Sequence, residues 1–377
     1  MPIIMKNLVT TLFCCLMVTV AIAQEPYKFN TQIDLETTSV ISQGATGTCW
    51  SFSTSSFLES EIMRITGKTI DLSEMYTVRN TYPTKAYNYV MRQGKAQFSE
   101  GGLAHDVINS VQKYGLAPLE VYTGLEEGAA RHNHAEMVAV LSAMLNTYID
   151  NPGRSLSPKW REAVNAVLDV YIGSNPKEFT YQGKQYTPMS FLAMTGIKAD
   201  DYISVTSFTQ APFYSSFILN IPDNFSNGSF YNVPLDDFIQ VIDSALERGY
   251  TVELDCDVSE RSFSSKDGVA VIPKDPVNVK KALAGIYPER NIDQEYRQQE
   301  FENYTTTDDH LMHITGTLTD QNGTKYYKVK NSWGTDESRN ANGGYVYFSE
   351  AYMRLKAISV MIHKDALPKK VANQLGM

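Results

Sequence analysis

The stretch SQGATGTCWSFSTSSFLE, Ser42 to Glu59, sets a cysteine between a Gly-Thr turn and a tryptophan, with a glutamine six residues upstream. Trp50, Phe52, Phe57, Leu58, Ile62 and Ile65 then approximate one helical face. Thr48 stands where a helix cap belongs, and Gly67 is placed to stop the helix. Cys49 therefore falls in the first turn, where aligned peptide dipoles favour thiolate. A free cysteine, with a pKa near ~8.5, is only a few per cent ionised at neutral pH. A helix terminus and an imidazolium together lower that pKa by several units. A lone cysteine is also a serviceable small buried hydrophobe, and this stretch alone leaves both readings open.

Downstream, TTDDHLMHITG (Thr306 to Gly316) and YKVKNSWG (Tyr327 to Gly334) supply what a nucleophilic thiol lacks. An imidazole takes the proton and returns it to the leaving amine, and a third group holds the ring. The side-chain oxygen of Asn331 can accept from one ring nitrogen and turn the other toward sulfur. Trp333 can shield that bond from water. The Gln43 amide and the Cys49 backbone N–H are an available donor pair for an oxyanion.

The other chemistry is sparse. The chain has 377 residues, 43% hydrophobic and 20% charged, with a formal net charge of −9. That is globular composition with enough apolar residues for a sizeable core. An acidic balance without a Lys/Arg run excludes nucleic acid as an expected partner. Lys6 followed by the apolar run Leu8 to Ala23, ending Ala21-Ile22-Ala23, reads as a cleaved secretion signal over residues 1–23. The run is shorter than the ~20 residues a spanning helix needs, and no later stretch is long and apolar enough, so no stable membrane anchor is expected. Periplasmic or extracellular localisation follows if the source is bacterial. Cys14 and Cys15 fall inside the signal, leaving Cys49 and Cys256. His132 and His134 flank one Asn, but two imidazoles without a third ligand make no metal site, and none is expected.

Periodicity divides the chain. Helices are expected from Thr48, over Asp71–Tyr82 with Ser73 as cap, over Gly101–Gly115, over His134–Tyr148 and Pro158–Ile172, and over Leu235–Gly249. EFTYQGKQYT reads as a hairpin around Gly183, and NIPDNFSNGSFYN as a loop. YTVELDCDV, GVAVIP, HLMHITGTLTD, TKYYKVKNSW, GGYVYFS and AISVMIHK are β-biased, with DQNG (Asp320 to Gly323) as a hairpin turn. Helices first, a mixed insert, then strands is the α+β order, with two lobes meeting at a cleft.

QGATGTCWSF, DDHLMHITG and KNSWG resemble the papain-like cysteine peptidases. Thr46 stands where secreted relatives carry a disulfide-bonded cysteine, and Ser99-Glu100 precede the glycine pair where they carry another. That departure, with EGGLAHDVINSVQKYGLAP, LDCDVSE, FTYQGKQYTPMSFL and HKDALPKKV, is similar to the bleomycin hydrolase and bacterial aminopeptidase C branch, over roughly residues 30–372. Cys49 and His310 stand 261 positions apart, wider than the papain spacing, and a mostly helical insert accounts for the excess.

The resemblance implies a two-lobed papain-like fold of residues 24–367: a helical lobe over about 40–115, the insert over about 116–248 and a β-rich lobe over about 249–367, with a short tail at 368–377. It implies Cys49 as nucleophile, Gln43 as oxyanion donor, Asn331 as orienting residue and Trp333 as support. His310 rather than His313 matches the base, because Gly316 follows it at the family spacing and Asp309 precedes it. Gly101 and Gly102 match the pair lining the substrate's second side-chain pocket, where a missing Cβ lets a peptide approach. Cys256 matches a structural cysteine. The implied activity is hydrolysis of oligopeptides, without metal or organic cofactor, most nearly as an aminopeptidase, within a ring-shaped hexamer. In that branch a terminal arm places its carboxylate against the substrate's amine; this chain reaches only nine residues past Pro368. Endo- or oligopeptidase activity is thus the first alternative, and an inactive peptide-binding protein the second.

Overall fold

Strand β1 (Asn30–Asp34) leads into helix α1 (Cys49–Thr66), which starts at the cysteine. The computed structural model describes residues 25–125, 128–150 and 155–377, so the expected signal, with Cys14 and Cys15, lies outside the described residues. Gly67 ends α1 at φ 68° and donates its N–H to Met63 O. Thr48 precedes α1 but does not cap it: its ψ is 22° rather than extended, and its Oγ1 lies 2.6 Å from Thr46 Oγ1 instead. The single apolar face expected of α1 is also corrected. The helix is buried nearly all round, including Ser51, Ser53, Thr54, Ser55, Glu59 and Glu61, whereas Ile65 is exposed. Small hydroxyl residues let a sheet approach closely: Ser53 Oγ donates to Met312 O at 2.5 Å.

The helical lobe is completed by α2 (Glu74–Met91), α3 (Ala104–Tyr114), α4 (Ala135–Asp150) and α5 (Trp160–Ile172). Ser73 caps α2, accepting from Tyr76 N–H. The helix runs through Pro83 past its expected end at Tyr82, held across the missing donor by packing against α3, α4 and α5. Leu103, Val107, Ile108 and Val111 bury the expected face at α3. The hairpin of β2 (Phe179–Tyr181) and β3 (Lys184–Tyr186) turns at Gln182 and Gly183, at φ 49° and 76°, a two-residue turn of the type that matches strand twist. Helix α6 (Pro188–Thr195) follows, capped by Thr187.

Strands β4 (Tyr202–Thr206), β5 (Ser215–Ile218) and β6 (Ser229–Asn232) precede α7 (Leu235–Glu247). NIPDNFSNGSFYN is thus a loop only until its last four residues, which pair with β5 and β4. These strands lie in the span assigned to the insert, yet they extend the sheet of the β-rich lobe. After β7 (Val252–Cys256), β8 (Phe263–Ser264) and β9 (Val269–Ala270) come α8 (Val279–Ala284), α9 (Gln294–Glu302), β10 (His310–Thr319), β11 (Lys325–Lys330) and β12 (Tyr345–Ser349). Helix α10 (Glu350–Lys356), β13 (Ala357–His363) and α11 (Lys369–Leu375) close the chain. Of GVAVIP, only Val269–Ala270 are strand. DQNG turns β10 into β11, with Asp320 Oδ1 accepting from Asn322 and Thr324 N–H.

The sheet runs β5-β6-β4-β13-β7-β10-β11-β12-β9-β8, with β1 added along β10. A Cβ on Gly316 of β10 would stand 2.0 Å from Ile33 O, so glycine lets β1 close in. One core joins the helices and α1, a second lies under α7 and α10, and Leu311, Ile358 and Met361 of the sheet belong to the first. The α1 helix packs on β10 along the boundary between the lobes.

Candidate active site

The site forms where β10 begins and β11 ends. Their antiparallel register pairs His313 with Lys330, which brings Asn331 beside His310 at the mouth of the hairpin. Asn331 Oδ1 lies 2.8 Å from His310 Nε2. The same oxygen accepts the Ser332 N–H at 2.7 Å. A backbone donor therefore fixes which end of the amide faces the ring. Nε2 carries the proton toward Asn331, which leaves the lone pair on Nδ1. Trp333 covers this bond: its ring centroid is 4.9 Å from that of His310, and with 38% of its surface exposed it is the outermost member of the group. Behind His310, Cys256 donates Sγ–H to the His310 carbonyl at 3.5 Å. Cys256 is fully buried and both described cysteines are free.

Gln43 joins the same group. Its backbone N–H donates to Ser332 O at 2.9 Å, and its Oε1 accepts from Ser332 Oγ at 2.6 Å. Nε2 donates to Thr46 O at 2.7 Å, leaving one amide hydrogen for another acceptor. Gly44, at φ 70°, turns the chain here; a Cβ would stand 2.5 Å from His132 O. His132 serves through that carbonyl, which accepts Ala45 N–H at 2.8 Å.

Cys49 heads α1 with 8% of its surface exposed. The backbone N–H groups of Leu311, next to His310, and of Trp50 bond to its sulfur and pull its pKa down. Burial outweighs them and pushes the thiol up to about 12. Burial likewise pushes His310 down to about 4, against the opposing bond to Asn331. At Cys49 burial therefore works against the helix dipole that the sequence places there, and at both groups it opposes the charged form.

The glycine pair is walled on both sides. A Cβ on Gly101 would collide with the Asp223 carboxylate, and one on Gly102 would stand 3.1 Å from the Trp50 ring. Glu100 ties this segment to the cysteine loop. Its carbonyl accepts from Trp50 Nε1 at 2.9 Å, and its Oε2 accepts Gly47 N–H at 2.6 Å. His313 stands apart, buried, with Nδ1 3.0 Å from Ser56 Oγ. His105 packs on Phe230 and lies 3.0 Å from Ser226 Oγ. Sequence reasoning missed the contacts of Glu100, Asp223 and Ser332. Glu100 and Ser332 carried a signal, as neighbours of Gly101 and Asn331.

The family described as "Peptidase C1-like family" matches residues 10–377. "Aminopeptidase C" of Lactococcus lactis subsp. lactis (strain IL1403) is 24% identical over 379 residues, covering 90% of this chain and 83% of the relative. "Aminopeptidase C" of Listeria innocua serovar 6a is 24% identical over 383 residues, with the same shares. Among solved structures, that of PepW from Lactobacillus rhamnosis HN001 superposes with a TM-score of 0.72 at 19% identity, over 92% of this chain and 84% of that one. The α+β, papain-like architecture is shared between the two.

Proposed function

This chain belongs to the Peptidase C1-like family, as a cysteine-type peptidase of papain-like fold, and from that premise we propose that it is an aminopeptidase acting on oligopeptides through Cys49, His310 and Asn331. The observation that carries the site assignment is the 2.8 Å contact between His310 Nε2 and Asn331 Oδ1, made within the segment that also anchors Gln43. Cys49 Sγ attacks the carbonyl carbon while His310 Nδ1 takes the thiol proton. The free amide hydrogen of Gln43 and the Cys49 N–H stabilise the oxyanion. His310 then protonates the leaving amine, and water, deprotonated by the same nitrogen, releases the acyl group and restores the thiol. Gly101 and Gly102 pair with the substrate backbone.

An epoxide thiol inhibitor should label the reduced protein once, at Cys49, and Cys49→Ala should be neither labelled nor active. No labelling of the wild type in reductant would instead leave a peptide-binding protein. Free-amine and N-blocked aminoacyl amides test the exopeptidase reading: hydrolysis confined to the free amines supports it. Equal turnover of blocked peptides supports the second reading, an endo- or oligopeptidase. Helix α11 lies beside Ile203, Tyr231 and Arg248. Export through residues 1–23 is part of the proposal and is tested by N-terminal sequencing of the native protein; assembly into a hexamer is tested by light scattering.

A further inference from the structure

Lys85 of α2 is a charged group that the mechanism above does not use. Its side chain is buried, at 2% exposure, and burying an ammonium group is costly unless something compensates. Asp223 on the loop between β5 and β6, Asp106 of α3 and Glu100 before the glycine pair all attract it, yet burial outweighs them and pushes its pKa down to about 8. The Phe225 ring centroid lies 5.0 Å from Nζ. Among the described residues no carboxylate takes a hydrogen bond from this ammonium group. Nζ donates instead to the backbone carbonyl of Gly101.

A peptide unit is planar and trans, so the C=O of Gly101 and the N–H of Gly102 point in opposite directions. With Gly101 O turned onto Lys85, Gly102 N–H faces away from it. Gly102 is buried, and no described residue accepts from its N–H. The next donor along the chain is engaged: Leu103 N–H donates to Asp106 Oδ2 at 3.0 Å. Gly102 also closes on the ring of Trp50, the neighbour of Cys49. A backbone donor kept from water without a partner is costly until an acceptor arrives. The carbonyl of an extended peptide is an acceptor of the right kind.

We propose that Lys85 is a positioning residue, whose ammonium group locks the Gly101–Gly102 peptide plane so that Gly102 N–H is presented to a backbone carbonyl of the peptide in the cleft. A charged donor holds that plane more firmly than a neutral one. The inference rests on the peptidase reading above for the presence of a peptide beside Cys49. It adds a cation that acts on the bound chain through the protein backbone, without touching it.

Two reagents with one reactive group test this: epoxysuccinyl-leucine amide, which carries a peptide unit, and the same epoxide ending in a primary amide, which carries none. The ratio of their rates of labelling Cys49 cancels the reactivity of the sulfur. Lys85→Met, similar in length and uncharged, should lower that ratio about tenfold and leave the rate of the primary amide within about threefold of wild type. In the wild type the ratio should also fall as pH rises through about 8, where Lys85 loses its proton, and this measurement needs no folded variant. In Lys85→Met that fall should be missing. An unchanged ratio in the variant, an equal loss of both rates, or a wild-type ratio that stays level through that pH range overturns the proposal. If neither reagent labels the wild type, the peptidase reading falls, and calorimetry with a leucyl peptide amide decides the role of Lys85: affinity about tenfold weaker in Lys85→Met supports it, and equal affinity overturns it. Labelling and turnover with an unaffected ratio leave a peptidase in which Lys85 has no such role.

Discussion

Asn331 Oδ1 accepts from two donors at once, His310 Nε2 at 2.8 Å and Ser332 N–H at 2.7 Å. Rotating the amide would lose both, so the ring is held in one tautomer. Replacing Asn331 by alanine should leave the fold intact and lower kcat/KM by about 10²-fold, the usual cost of a loosened catalytic group. Asn331→Asp should act in a different way. Its carboxylate favours imidazolium, so the pKa of His310, held at about 4 by burial, rises. Because the base must be neutral to accept the thiol proton, the acidic limb of the kcat/KM profile should move to higher pH. An unmoved limb would show that His310 is not the group titrating. The pairing of His310 with Asn331 was legible because each sits in a local pattern. The rise in the Cys49 pKa was not, since burial sums over the whole fold. Glu100 and Ser332 were not either: their contacts to the cysteine loop span 53 and 289 positions.

Elements of the β-rich lobe meet at Glu289, which joins the segment after α8 to two strand ends. Its Oε1 accepts from Ile272 N–H at 2.6 Å and Ser349 Oγ at 2.7 Å. Burial raises its pKa to about 7 from 4.5, against those two bonds. A carboxyl raised in the fold is bound to its proton there while the unfolded chain has lost it. Stability is therefore undiminished below the unfolded value and falls as pH rises toward 7. Glu289→Gln keeps an acceptor oxygen and removes the titration. It should match the wild type in melting temperature near pH 4 and exceed it at pH 8, by at most about 3 kcal/mol. A gain that is the same at both pH values would rule out burial of the charge as its cause. Long periodic helices and the strands of the last third were readable from pattern. The short strands β1 and β4–β6 were not: four or five residues carry little period, and β1 finds its partner nearly three hundred residues away, as in the Asn30–Thr319 pair.

At the scale of the molecule, the segment before α1 straps the lobes together. Tyr27 and Phe29 pack on Tyr326, Phe29 also meets Tyr347, and β1 pairs with β10. A few residues later Thr38 Oγ1 donates to Glu59 of α1 at 2.5 Å and accepts from Lys330 Nζ at 3.0 Å. A chain starting at residue 36 should lose the aromatic and strand contacts and melt several degrees lower by calorimetry, because one or two kcal/mol moves a domain of this size by that order. Unchanged melting would show that the strap carries no stability. The α+β class and its lobes followed from element order, whereas the strap had no local signature.

The two halves of the proposed catalytic set are written far apart in the message. A ribosome that has just added Cys49 has 261 residues to go before it adds His310, which at about 5–20 residues per second takes some 13–50 s. Throughout that interval the nascent chain carries a sulfur with no base, and even His310 stays unaligned until the hairpin to Asn331 is made. On the proposed mechanism hydrolytic competence waits for the hairpin that carries His310 and Asn331, so the translation machinery handles a thiol without its base for about two thirds of the sequence.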